Sequence, residues 1–147
     1  MRWKKHDDNR HGSPVISVDT TFLIDLWRNK DDRGHAAVKL LVRHEAETFV
    51  VPAHAAGEFL EGGASVSEKR FRDAIRFLQM FSIAAVGAET ARHYAIIVSQ
   101  LRKKNLLSGS SKTDMWIAAS ALEHGSALAT RNTKHFRHVP NLVLLDY

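Results

Sequence analysis

Apolar positions recur along this chain in two periods that follow one another. The apolar run at Val15–Val18 is short and β-branched, which is typical of a buried strand. After Thr20, the apolar residues Phe22, Leu23 and Leu26 fall at helical spacing and predict a helix. The pattern therefore opens with a strand that leads directly into a helix.

The same alternation continues to the end of the chain. Further strands are predicted at 48–51, 82–86, 127–129 and 142–145. Five further helices are predicted, the first within 33–46 and the second from Pro52 to a break at 61–65. The third runs through Phe71, Ala74, Ile75 and Leu78, and the fourth through Tyr94, Ile97, Val98 and Leu101 up to the basic residues 102–104. The fifth begins at Asp114, after a flexible loop at 107–111. Alternating strands and helices imply an α/β fold, a mainly parallel sheet with helices on both faces.

Composition limits the organisation and the chemistry. The 147 residues suffice for one domain, which we place at 14–147, after a polar basic tail at 1–13. Without cysteine, the chain has no disulfide, no thiolate metal site and no Cys nucleophile. We see no secretory signal and no membrane span, so we expect a cytoplasmic protein. The net charge of +5 mildly favours a polyanionic partner.

Three acidic residues stand in otherwise apolar segments and are the main candidates for chemistry. Asp19 ends the first strand, Glu58 lies among small and apolar residues, and Asp114 faces Ile117 and Ala118 on its helix. Carboxylates are rarely buried unless they are paired or bind a metal. Three such sites in one small domain therefore suggest a shared cation and metal-assisted chemistry on phosphate.

Each candidate also has an ordinary structural explanation. Asp19 can cap the helix that follows it, and the first-turn position of Asp114 suits the helix dipole. Glu58 can be an exposed helix residue, and Asn132, after the strand 127–129, can be another helix cap. Asp25 fits a solvated helix face, so we give it no role.

Four segments in order resemble the PIN domain, and within that family the VapC-like toxins of bacterial toxin–antitoxin pairs. They are residues 18–24 (VDTTFLI), the isolated Glu58, residues 114–119 (DMWIAA) and residues 130–132 (TRN). The resemblance implies a three-layer α/β/α sandwich with a five-stranded, mainly parallel sheet. It also implies a Mg²⁺- or Mn²⁺-dependent endoribonuclease, a homodimer, and inhibition by a cognate antitoxin.

Phosphodiester cleavage gives each matching residue an expected role. A divalent ion activates a water and relieves charge on the phosphate, and Mg²⁺ prefers one or two carboxylates plus waters. Asp19 and Asp114 would be direct ligands, and Glu58 would bind a second ion or orient the water. Asn132, Thr21 and Thr130 would hold waters around the ion.

The chain departs from the family at His135, where many relatives have an acid. This position therefore supplies no fourth carboxylate, and the number of metals, one or two, stays open.

RNA would have to be held by basic residues around the anionic site. The candidates are Arg28, Lys30, Arg102, Lys103, Lys104 and Arg131.

Three other functions remain open at this point. A phosphoryl-transfer enzyme with an Asp19 nucleophile would need a second acid where Thr21 stands. A zinc hydrolase could use His54 and Glu58, but the chain has no His-Glu-x-x-His pattern. A catalytically weakened PIN-like module that binds RNA or a partner is the serious alternative, because of His135.

Overall fold

The computed structural model describes residues 14–107 and 110–147, and the predicted tail at 1–13 and part of the predicted loop at 107–111 lie outside the described residues. Strands β1 to β5 are Val15–Val18, Thr48–Pro52, Ser82–Ala84, Ala127–Ala129 and Leu144–Leu145. Helices α1 to α7 are Thr20–Asn29, Ala36–Arg43, Ala53–Ala64, Glu68–Leu78, Ala88–Lys103, Lys112–Glu123 and Thr133–Phe136. Within these ranges no helix is long and apolar enough to cross a membrane.

The strands form one parallel sheet in the order β3-β2-β1-β4-β5, which confirms the predicted α/β fold. The chain adds β2 and β3 on one side of β1 and then returns to add β4 and β5 on the other. Ile16 of β1 is accordingly level with both Phe49 and Ala127. Ligand sites of open α/β sheets form at such a reversal, beyond the carboxyl ends of the strands.

The central strand is covered on both faces. Ile16, Ser17 and Val18 alternate between the two faces of the sheet, and all three are buried. Leu128 and Ala129 of β4 are buried as well. Because helices cover both faces, the arrangement is the expected three-layer sandwich, and its polar site is confined to the strand ends.

One helix is longer than its sequence indicates. We expected the segment 61–65 to break α3, but the helix continues through Gly62 and Gly63 to Ala64. A Cβ on Gly63 would lie 3.2 Å from the Cβ of Ala74 and from the carbonyl oxygen of Arg70. Gly63 therefore allows α3 to approach α4 closely, and this packing outweighs the low helix propensity of the two glycines.

Smaller differences concern the ends and faces of elements. Ile75 belongs to the predicted apolar stripe of α4 but is 40% exposed, while Phe77 is buried in its place. Pro52 is the last residue of β2 and the N-cap of α3, not a residue of the first helical turn. The elements predicted at 33–46, 82–86 and 142–145 are each shorter, and the connection after β4 contains the short helix α7.

Candidate active site

Asp19 lies where the strand order reverses, between the carboxyl ends of β1 and β4. Its backbone N–H donates to the carbonyl of Ala129 at 3.2 Å. Its side chain caps α1, because Oδ1 accepts the backbone N–H of Phe22 at 2.9 Å. Oδ1 also accepts the hydroxyl of Thr21 at 2.7 Å, and Oδ2 accepts the hydroxyl of Thr130. Capping therefore explains only one of the three hydrogen bonds that this carboxylate accepts.

Burial raises the pKa of the Asp19 carboxyl above its ordinary value. The residue is 3% exposed, and this desolvation outweighs the hydrogen bonds from Thr130, Phe22 and Thr21 that lower the pKa. The charge of Asp114 raises the pKa further. A carboxylate whose charge is disfavoured in this way would be stabilised by a nearby cation.

Glu58 reaches the same end of the sheet from α3. It is exposed, and its Oε1 accepts the hydroxyl of Thr20 at 2.7 Å. Thr20 begins α1 and directly follows Asp19. Glu61, one turn later on α3, instead accepts the hydroxyl of Ser65 at the end of the same helix. The structure thus separates two carboxylates that the sequence leaves equivalent.

Asp114 forms part of the N-terminal cap of α6. Its backbone N–H donates to Oγ of Ser111 at 3.0 Å, and the backbone N–H of Ser111 donates to its Oδ2 at 3.2 Å. This capping box gives Asp114 a structural role in the first turn. Ile117 and Ala118 on its face of the helix are buried, as the spacing predicts.

The Asp114 carboxylate also interacts beyond its own helix. Its side chain is 19% exposed, and Oδ2 lies 3.3 Å from Nδ1 of His135 in α7. The negative charge of Asp114 contributes to the raised pKa of Asp19. His135, the residue at which the sequence differs from the pattern it resembles, therefore contacts a candidate carboxylate directly.

Asn132 stands at the edge of this group, at the N-cap position of α7. Its backbone N–H donates to Oγ1 of Thr130 at 2.9 Å, so Thr130 connects it to Asp19. In the described part of the chain, the Asn132 side chain makes no capping hydrogen bond to α7. Thr21 and Thr130, which we expected to hold waters, each donate a hydroxyl hydrogen bond to Asp19.

The donor set suits a hard cation completed by water. Across residues 14–107 and 110–147, no three Asp, Glu or His side chains stand close enough to enclose a metal ion by themselves. Asp19 and Asp114 nevertheless bring two interacting carboxylates to one end of the sheet, and one of them is buried with a raised pKa. Two carboxylates plus waters are a common way for proteins to bind Mg²⁺.

The six basic candidates are found in different environments. Lys30 lies over the ring of Trp27, with Nζ 5.5 Å from the ring centroid, and Arg28 lines the groove described below. Arg102, Lys103 and Lys104 are exposed at the end of α5, which packs against α6. Arg131 alone among the six directly follows a residue that contacts Asp19, namely Thr130.

The prediction that Asp25 lies on a solvated helix face is wrong. The residue is 6% exposed, and its Oδ1 lies 3.2 Å from Nη1 of Arg131. Its Oδ2 accepts the hydroxyl of Tyr147 at 2.8 Å. Its position three residues after the buried Phe22 was a local signal for burial, but both partners lie at the far end of the sequence.

Sequence analysis also missed a stack of three rings beside the site. Trp116, two residues after Asp114, lies parallel to Tyr94 with ring centroids 4.1 Å apart. Its distance to the ring of His54 is 5.1 Å, with an interplanar angle of 3°. The three rings come from α3, α5 and α6, so no local spacing predicts their contact. They join the helices that carry Glu58 and Asp114.

A groove between α1, α3 and α4 begins beside Glu58. Its apolar lining includes Ile24, Trp27, Phe59 and Val66, and its charged lining residues are Glu58, Arg28 and Arg70. Gly62, also in the lining, has open space where a side chain would stand. A second hollow, lined by Leu41, Thr48, Phe49, Met80 and Phe81, lies at the opposite, amino-terminal ends of β2 and β3.

Comparison with known proteins gives a family match over most of the chain. Residues 16–142 match the family model described as the PIN domain. The chain is 30% identical to Ribonuclease VapC1 of Rickettsia felis over 135 residues, which cover 88% of this chain and 94% of that protein. It is 27% identical to Ribonuclease VapC1 of Methanocaldococcus jannaschii over 135 residues, covering 90% and 86%.

Several solved structures have a fold similar to that of this chain. The VapBC2 structure from Rickettsia felis, bound to a promoter DNA fragment, gives a TM-score of 0.76 at 21% identity. The alignment covers 90% of this chain and 98% of that one. FitAcB from Neisseria gonorrhoeae gives a TM-score of 0.72 at 23% identity, covering 88% and 96%. At these identities the likeness concerns the fold.

Proposed function

Because the chain belongs to the PIN-domain family, we propose that it is a metal-dependent endoribonuclease and the toxin of a toxin–antitoxin pair. The relatives that it matches along most of their length are named VapC ribonucleases. The observation that carries the catalytic part is the buried Asp19 at the reversal of the sheet, whose pKa is raised both by burial and by the charge of Asp114. The reaction is the hydrolysis of an RNA phosphodiester bond.

Asp19 and Asp114 would hold Mg²⁺ or Mn²⁺, with waters completing the shell. When bound, the ion supplies an acidified water and neutralises charge on the phosphate. Thr21 and Thr130 keep the Asp19 carboxylate in one orientation, because each donates to a different oxygen. The cap at Ser111 does the same for Asp114.

Glu58 is the group that orients the attacking water. Its carboxylate is exposed, and only Oε1 is engaged by Thr20 in the described residues, which leaves Oε2 for a water. Asn132 extends the polar edge of the site on the side of Thr130. The basic residues, Arg131 above all, hold the RNA backbone against this anionic cleft.

The test is RNA cleavage by purified protein with and without Mg²⁺ or Mn²⁺. We expect cutting only with metal, and a loss of about 100-fold or more in Asp19→Asn and Asp114→Asn. Glu58→Gln should lose most activity, whereas Glu61→Gln, the matched change one turn along α3, should keep it. The ion should also raise the melting temperature of the wild type, and Asp114→Asn should lose much of that rise.

A catalytically weakened binding module is the second candidate, and His135 favours it. An imidazole 3.3 Å from the Asp114 carboxylate occupies a position where many relatives have an acid. Tight RNA binding without metal-dependent cutting would select this module and reject the nuclease.

The protein partner is a cognate antitoxin that occupies the groove between α1, α3 and α4. The groove combines the apolar side chains Trp27, Phe59 and Val66 with the carboxylate of Glu58 and the guanidinium groups of Arg28 and Arg70. It thus suits an amphipathic segment that carries an acidic side chain for the arginines and a cationic one beside Glu58. The structural neighbours described as VapBC complexes support a partner of this class.

Two further expectations accompany this function. A homodimer is proposed by resemblance to the family, and light scattering at micromolar concentration measures it, with a monomer contradicting it. A cytoplasmic location is likewise proposed, because RNA substrates and a toxin–antitoxin partner would meet the enzyme there.

A further inference from the structure

Asp25 is a buried carboxylate outside the proposed metal site, and both of its oxygens are engaged. Oδ1 lies 3.2 Å from Nη1 of Arg131, and Oδ2 accepts the hydroxyl of Tyr147 at 2.8 Å. Arg131 is 58% exposed although its carboxylate partner is buried. The pair therefore fixes one end of the guanidinium inside the protein and leaves the rest at the surface.

This network adjoins the catalytic carboxylate through two routes. Arg131 lies between Thr130, which donates to Asp19, and Asn132. On the other side, Thr21 donates to Asp19 and also interacts with the hydroxyl of Tyr147. The Arg131 guanidinium is thus tied to residues that surround Asp19, on the side of the cleft formed by β4 and β5.

Stability alone does not require such a network. Arg131 is largely exposed, and a salt bridge with an exposed partner contributes little to stability, which leaves room for another role. A guanidinium has five N–H donors in a rigid fork, and Asp25 engages one of its terminal nitrogens. The remaining donors match the oxygens of a phosphate, which Arg binds with two parallel hydrogen bonds.

We propose that Arg131 is a binding site for an RNA backbone phosphate next to the scissile one, and that Asp25 and Tyr147 are positioning residues that hold it there. This inference rests on the proposed function, since it places the phosphate relative to Asp19. It gives the C-terminal Tyr147 and the buried Asp25 a shared role that neither the motifs nor the metal site assigns them.

Asp25→Asn separates a positioning role from a general charge effect, because the two predict opposite changes in RNA affinity. The substitution removes a negative charge, so a general charge effect would strengthen binding of a polyanion. An amide oxygen accepts a weaker hydrogen bond from the guanidinium than a carboxylate does, so Arg131 is held less firmly in its orientation. We therefore expect Asp25→Asn to bind a single-stranded RNA oligonucleotide about five- to tenfold more weakly, measured without metal so that cleavage does not interfere.

Arg131→Gln and a double variant test whether the effect passes through Arg131. Arg131→Gln should reduce the slope of log affinity against log salt by about 1. Adding Asp25→Asn to it should cause no further loss, since the interaction is already absent. Arg72→Gln is the matched control, because Arg72 is 61% exposed and also paired with a carboxylate. With metal present, Asp25→Asn should raise KM with a smaller change in kcat.

Tyr147→Phe provides a second variant that retains the ring packed against Phe22. It should weaken RNA binding in the same direction by about two- to threefold. Wild-type or tighter binding by Asp25→Asn, in a protein with a normal melting curve, would overturn the inference while the nuclease stands. A wild type that neither binds nor cuts RNA would instead overturn the proposed function.

Discussion

Asp19 serves two purposes that conflict in the metal-free protein. Its hydrogen bonds to the Phe22 N–H and to two threonine hydroxyls order the start of α1 and the end of β4. Its burial, and the neighbouring charge of Asp114, raise its pKa and so oppose its ionisation. The hydrogen bonds therefore favour the charged form of Asp19, whereas burial and the charge of Asp114 disfavour it. A bound cation would stabilise the charged form and so remove this conflict.

We expect Asp19→Asn to abolish cleavage and yet to stabilise the metal-free protein at neutral pH. Its amide oxygen can still accept from Phe22 and Thr21, and its amide nitrogen can donate to Oγ1 of Thr130. Removing the disfavoured charge should raise the free energy of unfolding by about 1 kcal/mol, or the melting temperature by about 2–4 °C. Calorimetry in a chelator measures this, and a lower melting temperature would show that the hydrogen bonds to the carboxylate dominate.

The sign of the pH dependence follows from the direction of the shift. Because the folded state raises the pKa of Asp19, it binds this proton more tightly than the unfolded chain does. The contribution of Asp19 to the free energy of unfolding therefore falls as the pH rises from the ordinary carboxyl pKa to the raised pKa of the folded protein. Above the raised pKa this contribution is constant. The advantage of Asp19→Asn should accordingly disappear below the ordinary carboxyl pKa.

At the scale of the element, α3 combines two adjacent glycines in different surroundings. A Cβ on Gly62 would meet nothing within 4 Å, whereas one on Gly63 would press on Ala74 and on the backbone of Arg70. Gly62 also lines the groove beside Glu58. The helix thus uses one glycine to pack against α4 and exposes the other at a surface where a partner is proposed.

Alanine substitutions at these two positions should have opposite effects. Gly62→Ala should stabilise the protein by about 0.5–1 kcal/mol through helix propensity, and Gly63→Ala should destabilise it by about 1–2 kcal/mol through overpacking. Urea unfolding measures both. Equal effects of the two changes would contradict the assignment of Gly63 to the α3–α4 contact. Gly62→Ala should also weaken antitoxin binding if the groove is its site.

The order and type of the elements were predictable because their signals are local. The run Val15–Val18 and the spacing of Phe22, Leu23 and Leu26 need only neighbouring residues. The continuity of α3 through Gly63 depends on α4, and the burial of Asp25 depends on Tyr147. The sequence analysis is therefore wrong where a residue distant in sequence determines whether a helix continues or a side chain is buried. The candidate carboxylates could be predicted because their motifs occur in the order typical of the family.

At the scale of the whole molecule, the chain is cationic around an anionic cleft. The net charge is +5, while Asp19, Glu58 and Asp114 lie at one end of the sheet. RNA can be attracted by the general field and still be repelled by the metal-free cleft. A partner that delivers a cationic side chain into the cleft would compete with the metal there.

We therefore expect the antitoxin to inhibit through an Arg or Lys placed near Asp19 and Asp114. Replacing that residue of the partner with Ala should restore cutting, while the complex persists through apolar contacts in the groove. Cleavage assays and gel filtration of the same complex measure the two effects separately. Inhibition that survives removal of every Arg and Lys from the partner's tail would mean that it blocks the cleft sterically.

The reversal of strand order affects how the nascent chain folds during translation. Asp19 receives its bond from Thr130, a residue 111 positions later, and Asp25 receives its own from Tyr147, 122 positions later. During translation the first helices can form early, but β1 lacks one of its two neighbours until β4 has emerged. The proposed active site is therefore among the last parts of the fold to assemble, and an incomplete chain on the ribosome has its acidic residues but not the contacts that bring them together.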